Sequence, residues 1–180
     1  MGYFSLPFIQ VPSGFDEETI EYQGDPAKYA ITLSQKKAEV LAARYSKEII
    51  LTADSDVFCE GKVYNKPADE EEAFRYLDHF GGRWHSVFTG VTARQGSKVF
   101  SGHEETRLLF HKLSRDQIRK FHQHCYFLDK AGGYAIEKSG NLIVSRIEGC
   151  YYNVLGLPIN TTRNLLLNLG IDLWDFLKSF

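Results

Sequence analysis

Asp54 closes a compact apolar run, Glu48-Ile-Ile-Leu-Thr-Ala-Asp54. A carboxylate that ends a buried strand lies at the carboxyl edge, where open α/β sheets hold their ligands. The same residue, leading into Ser55-Asp56, also fits a turn or a cap. Lys37 is four residues from both Leu33 and Leu41, on the apolar stripe of an expected helix. Its stem either snorkels along the rim of a core or aims its ammonium into a cleft between helix and sheet. Together with Glu17, Lys66 and Lys130, these two residues supply the side-chain types of a polyphosphate site. Two carboxylates can hold Mg²⁺, a hard cation that keeps several of its waters, and lysines neutralise phosphate oxygens as point charges. Lys66 precedes Pro67, which holds its backbone extended. Lys130 precedes Ala131-Gly132-Gly133, where missing side chains permit close approach of a ligand.

Other chemistries find less support. His85, His103, His111, His122 and His124 form no metal-binding spacing, and His122 and His124 would face different sides of a helix. Cys59, Cys125 and Cys150 are widely and irregularly spaced, with no Cys-x-x-Cys pair, so free thiols in a reducing compartment are the expectation. Neither a Gly-x-Ser-x-Gly elbow nor a Walker loop is present. A formal net charge of −2 gives no global attraction to nucleic acid polymers or anionic membranes. No apolar run reaches the length of a membrane span, and the N-terminus lacks the basic region of a signal peptide. A cytoplasmic protein is expected.

These groups have to be positioned by an ordinary globular chain of 180 residues with 43% hydrophobic content, enough for one domain spanning 1–180. Phe4 to Val11 reads as a short strand. Asp25-Pro26 starts a helix, the Asp as cap and the Pro where a missing N–H costs nothing, and the helix is expected to reach about Tyr45. A buried strand ending at Asp54 follows, then a hairpin of Val57–Cys59 with Lys62–Tyr64 about Glu60-Gly61. Ala68 to Phe80 is a second helix. Trp84–Gln95 and Lys98–Phe110 are long strands joined at Gly96, and Ser114 with Gln117 makes a capping box for a third helix. A strand near Leu142–Ile147, a turn over 153–158 and a leucine-rich C-terminal helix complete the chain. The alternation predicts an α/β domain with a central sheet.

Five segments occur in an order and spacing that resembles the Maf family of nucleoside triphosphate pyrophosphatases. They are Ala53-Asp54-Ser55; Lys66-Pro67 with Gly81-Gly82; Thr89-Gly90-Val91; Asp129-Lys130-Ala131-Gly132-Gly133-Tyr134-Ala135-Ile136; and Asn153-Val154-Leu155-Gly156-Leu157-Pro158. The resemblance implies a mixed, twisted sheet flanked by helices, with a cleft between two lobes. It also implies Mg²⁺- or Mn²⁺-dependent cleavage of a nucleoside triphosphate, such as dTTP, UTP or a modified nucleotide, to the monophosphate and pyrophosphate, and a possible homodimer. Asp54 falls on the family's proton acceptor and Glu17 on its acidic residue near metal and phosphates, so that Asp54 and Glu17 would hold the cation. Lys37 and Lys66 fall on its phosphate-side lysines, with Lys130 beside them. Ser55 and Glu137 stand where thymidine- or uridine-specific members carry Thr and Gln, and bear on base preference. The family usually opens with an apolar strand and a segment like Ser-x-Ser-Pro-Arg-Arg, which this sequence does not contain. The resemblance therefore leaves two readings, an active pyrophosphatase and an impaired nucleotide-binding or septum-formation regulator. A third is an α/β domain with no nucleotide site.

Overall fold

The computed structural model describes residues 1–2 and 4–178. Its centre is a five-stranded sheet in the order β2-β1-β3-β4-β5, formed by β1 (Ile50–Cys59), β2 (Lys62–Tyr64), β3 (Trp84–Gln95), β4 (Lys98–Phe110) and β5 (Val144–Glu148). Two tight hairpins follow directly from the sequence. Cys59 pairs with Lys62 across Glu60 and Gly61, both at positive φ, the geometry of a two-residue turn whose twist matches the strands. Gln95 pairs with Lys98 across a turn containing Gly96. The resemblance implies a mixed sheet, but all four pairings among the described residues are antiparallel.

The long helix α1 (Pro26–Ala42) begins as expected, with the Asp25 carboxylate accepting from the Lys28 amide at 3.0 Å, and ends about one turn before Tyr45. It lies on one sheet face, with Phe15, Ile20 and Tyr22 beside it, and there Ser34 bonds Thr92 at 2.8 Å and Tyr29 packs edge-on against Phe58. Its seat is Gly90. A Cβ built there would stand 2.1 Å from the Ala30 carbonyl oxygen, so only glycine lets the helix backbone come this close to β3. The opposite face carries α2 (Glu70–Phe80), α3 (Arg115–His124), α4 (Tyr151–Val154) and α5 (Ile159–Leu167). There Leu77, Phe80, Leu108, Phe110 and Ile118 form the principal core, and Leu165 and Leu166 close a second cluster over Val91 and Ala93.

Three expectations need correcting. Phe4 to Val11 is not a strand: Phe4 makes one isolated bridge to Leu177, and the rest is irregular. Pro7 has no N–H to contribute to a ladder, while Phe8 and Ile9 are exposed. The strand expected to stop at Asp54 continues to Cys59, so the two separate segments are one strand with Asp54 in its middle. Two acidic residues and a serine inside it mimic a turn, but their alternating placement keeps the pleat running. The later strand begins at Val144 rather than Leu142, because a 3₁₀ segment occupies Lys138–Ile143.

Candidate active site

The continuation of β1 creates the site. Side chains two apart on a strand share a face, so Thr52, Asp54, Asp56 and Phe58 all point towards α1. Ala53, Ser55 and Val57 point the other way. Among the described residues, β2 pairs with β1 only over Val57–Cys59, and no strand borders the outer edge of β1 over Ile50–Asp56. A cleft of about 550 Å³ therefore wraps this edge and reaches both sheet faces.

On the α1 face the cleft is charged. The Lys37 ammonium lies between two carboxylates, bonded to Asp54 and, at 2.7 Å, to Glu17. The Lys66 ammonium reaches the second oxygen of Glu17 at 3.3 Å. Glu17 is placed by a 3₁₀ turn, Glu17–Thr19, which the Asp16 side chain caps. Lys37 is placed by α1, whose side chains lean towards the helix N-terminus and so bring the ammonium back over Asp54. The apolar stripe that carries Lys37 thus ends in an ion pair rather than in solvent. Burial opposes the charge on Lys37, but Asp54 and Glu17 outweigh it and hold its pKa above the ordinary lysine value. Burial likewise acts to raise the pKa of Glu17, and Lys37 and Lys66 reverse this and lower it.

Asp56 was not among the residues singled out from the sequence, because a strand ending at Asp54 gives it no defined side. The alternation Thr52-Asp54-Asp56-Phe58 is the signal that could have found it. It is 7% exposed, and its Oδ2 has no hydrogen-bond partner among the described residues. Burial, then the neighbouring Asp54, pushes its pKa up to about 8.

On the opposite face the cleft is milder. The Ser55 hydroxyl shares a hydrogen bond with Thr89 at 2.6 Å, and Thr89 bonds the Asn153 carbonyl at 3.1 Å. Asn153, fully buried, donates to the Val87 carbonyl and to Thr106, each at 3.0 Å. This lattice fixes α4 to the sheet, so that Val154, Leu155 and Gly156 form the cleft wall beside Ser55. Lys130 also lines the cleft and pairs with Asp129 at 3.1 Å. Behind it Gly132, at φ +73°, passes so close to Val57 that a Cβ would lie 2.8 Å from that side chain. Glu137 is not brought to the site: it is exposed and outside the cleft lining. Glu17, Lys37, Asp54, Ser55, Lys66 and Lys130 all border one hollow.

The donor chemistry of this hollow fits a divalent cation of the magnesium type. Among the described residues no group of three His, Cys, Asp or Glu side chains is arranged to enclose an ion. Mg²⁺ needs no such cage, since it is usually held by one or two carboxylates with water and substrate phosphates. An orphaned buried carboxylate oxygen in the cleft suits it.

The chain is similar to known proteins over nearly its whole length. The chain matches the family model described as Maf-like protein over residues 2–169. It is 42% identical over 176 residues to a dTTP/UTP pyrophosphatase of Chlamydia felis, covering 97% of this chain and 90% of the relative. It is 41% identical over 175 residues to a nucleoside triphosphate pyrophosphatase of Chlamydia muridarum, covering 97% and 89%. A dTTP/UTP pyrophosphatase of Clostridium perfringens is 40% identical over 169 residues, with 92% and 88% covered. A match that runs from the acidic turn through the β1 acids to the wall after Asn153 spans every element of the cleft, and the chain is a member of the Maf-like protein family.

Proposed function

We propose that this protein hydrolyses a pyrimidine nucleoside triphosphate, dTTP or UTP, to the monophosphate and pyrophosphate. The observation that carries this reading is the chain of contacts Lys66–Glu17–Lys37–Asp54 on the floor of a cleft whose other face, apart from the Lys130–Asp129 pair, is lined mainly by uncharged groups. That division suits a ligand with a polyanionic end and a base. The relatives, dTTP/UTP pyrophosphatases, supply the nucleotide class.

In this mechanism Asp54 orients a water and takes its proton as the oxygen attacks the α-phosphorus. The bond from that phosphorus to the bridging oxygen breaks, and pyrophosphate leaves with the bonding pair. A divalent cation, Mg²⁺ or Mn²⁺, held at Asp54 would supply charge neutralisation at the phosphate oxygens. Lys66 and Lys130 neutralise the leaving pyrophosphate from the two sides of the cleft, and Lys37 does so from α1 once Asp54 turns to the cation. The base lies along Ser55 and the Val154–Gly156 wall. Glu137, away from the lining, has no part in base choice unless its segment moves. We place the protein in the cytoplasm, where such nucleotides are found.

Pyrophosphate release from a panel of nucleoside triphosphates with Mg²⁺ tests the reading. Turnover should be greatest with dTTP or UTP, and Asp54→Asn should lower it about 10²–10⁴-fold, the usual contribution of a positioned base. An Asp54→Asn protein with undiminished turnover discards the assignment.

A further inference from the structure

We infer that Asp56 is a ligand of the divalent cation, paired with Asp54 on one face of β1. The inference deepens the pyrophosphatase reading and rests on it for the purpose the cation serves. Asp54 and Asp56 are separated by one residue in a continuous strand, so their carboxyls leave the same face about 7 Å apart at the backbone, and both line the same cleft. Asp54 already has a cation, Lys37, and Glu17 has two, Lys37 and Lys66. Among the described residues Asp56 has none within bonding distance, and its Oδ2 is buried without a donor.

A buried carboxyl oxygen without a partner is costly, and native structures leave few such atoms unexplained. Here the atom belongs to a residue that lines the cleft, so a ligand entering from the cleft can reach it. The charge of the expected substrate makes the choice of ligand. Glu17, Asp54 and Asp56 put three carboxyl groups on the floor that a triphosphate must meet. The two lysines there are engaged by Glu17 and Asp54, and Asp56 is left without a cation among the described residues. A divalent cation on the Asp54–Asp56 pair satisfies the orphan oxygen and turns the floor attractive to phosphate. It needs only two protein carboxylates, as Mg²⁺ sites on phosphate substrates ordinarily do. Glu17 then stays with Lys37 and Lys66, as the carboxylate that positions both ammonium groups, instead of binding the metal itself.

The test is a Mn²⁺ titration of the full chain without nucleotide, read by the electron paramagnetic resonance signal of free Mn²⁺. The wild-type protein should show one site. Asp56→Asn should weaken it at least tenfold, since losing even an outer-sphere partner of a metal ligand costs 10–100-fold. Asp56→Ser, smaller and equally uncharged, serves as the second variant, and Mg²⁺ should raise the melting temperature of the wild type more than that of either variant. A wild type with no Mn²⁺ site, or variants that bind within about threefold of wild type, overturns the inference. The two readings fail separately: unchanged Mn²⁺ affinity in the variants leaves pyrophosphate release standing. A protein that binds Mn²⁺ through Asp56 but releases no pyrophosphate loses the proposed function and keeps the cation site.

Discussion

Among single residues, Lys37 carries the largest conflict of environments. Its side chain is 16% exposed, between carboxylates that are 6% and 36% exposed. A lysine so placed costs desolvation that only its partners offset, and removing it strands Asp54 beside Asp56 with no cation at hand. Breaking a buried pair from one side costs roughly 3–5 kcal/mol; partial exposure puts Lys37→Gln nearer the lower end, about 3 kcal/mol. The double variant Lys37→Gln/Asp54→Asn should lose clearly less than the sum of the two single losses, because each single change leaves the other group unpaired. Urea unfolding of the four proteins measures this, and simple additivity would remove the ion pair from the account. The sequence showed Lys37 on an apolar stripe and left snorkelling and cleft entry open. What it could not show was the partner: Glu17 lies twenty residues away in the sequence, on a 3₁₀ turn, and nothing in local spacing joins the two. Glu137 is the converse, a position carried over from a motif, which the fold leaves exposed outside the cleft.

At the scale of elements, the site depends on how near α1 lies to the sheet. Gly90 is the direct cross-strand partner of Asp54, and the Ala30 carbonyl occupies the space a side chain would need. Gly90→Ala must push α1 away or deform β3. Because the clashing atoms are backbone, relief by a rotamer change is closed, and the cost should sit at or beyond the upper end of the usual 1–3 kcal/mol for overpacking. The same displacement lifts Lys37 from Asp54, so turnover should fall together with the melting temperature. A Gly90→Ala protein with wild-type melting and activity would show that the close seat is dispensable. Both hairpins, the caps at Asp25 and Ser114 and the long β3–β4 pair were legible, since turn glycines, capping residues and alternation act over a few positions. The close approach at Gly90 was not legible, because it depends on a helix sixty residues upstream. Strand direction was hidden for the same reason: pairing is a long-range property. The full length of β1 was hidden because Asp54, Ser55 and Asp56 break the apolar pattern that marks a strand.

Taken as a whole, the molecule contains two buried titratable groups whose shifts oppose each other across the sheet. His85, on the face opposite α1, bonds the Tyr134 hydroxyl at 3.0 Å and stacks on Phe80; burial lowers its pKa from 6.5 to about 4. Between those values the unfolded chain binds a proton that the folded protein refuses, so this histidine makes stability fall as pH drops through that interval. Asp56 acts in the other direction. Its carboxyl keeps a proton in the folded protein up to about 8, whereas the unfolded group, at 3.8, has released it. It therefore makes stability fall as pH rises. From about pH 4 to 6.5 these two slopes cancel, and His122, whose pKa burial also lowers from 6.5, adds to the fall on acidification. From 6.5 to 8 the histidine is neutral in both states and only the Asp56 slope remains, amounting to about 2 kcal/mol over that interval at roughly 1.4 kcal/mol per unit. Urea midpoints should thus fall between pH 6.5 and 4 only by what His122 contributes, and decline from 6.5 towards pH 8. Asp56→Asn should be level above 6.5 and should weaken on acidification below it, because the histidine is then unopposed, by up to about 3 kcal/mol. An Asp56→Asn profile parallel to that of the wild type across both intervals would separate the buried acid from the pH response, and with it the view that the cleft holds one carboxyl too many for its lysines.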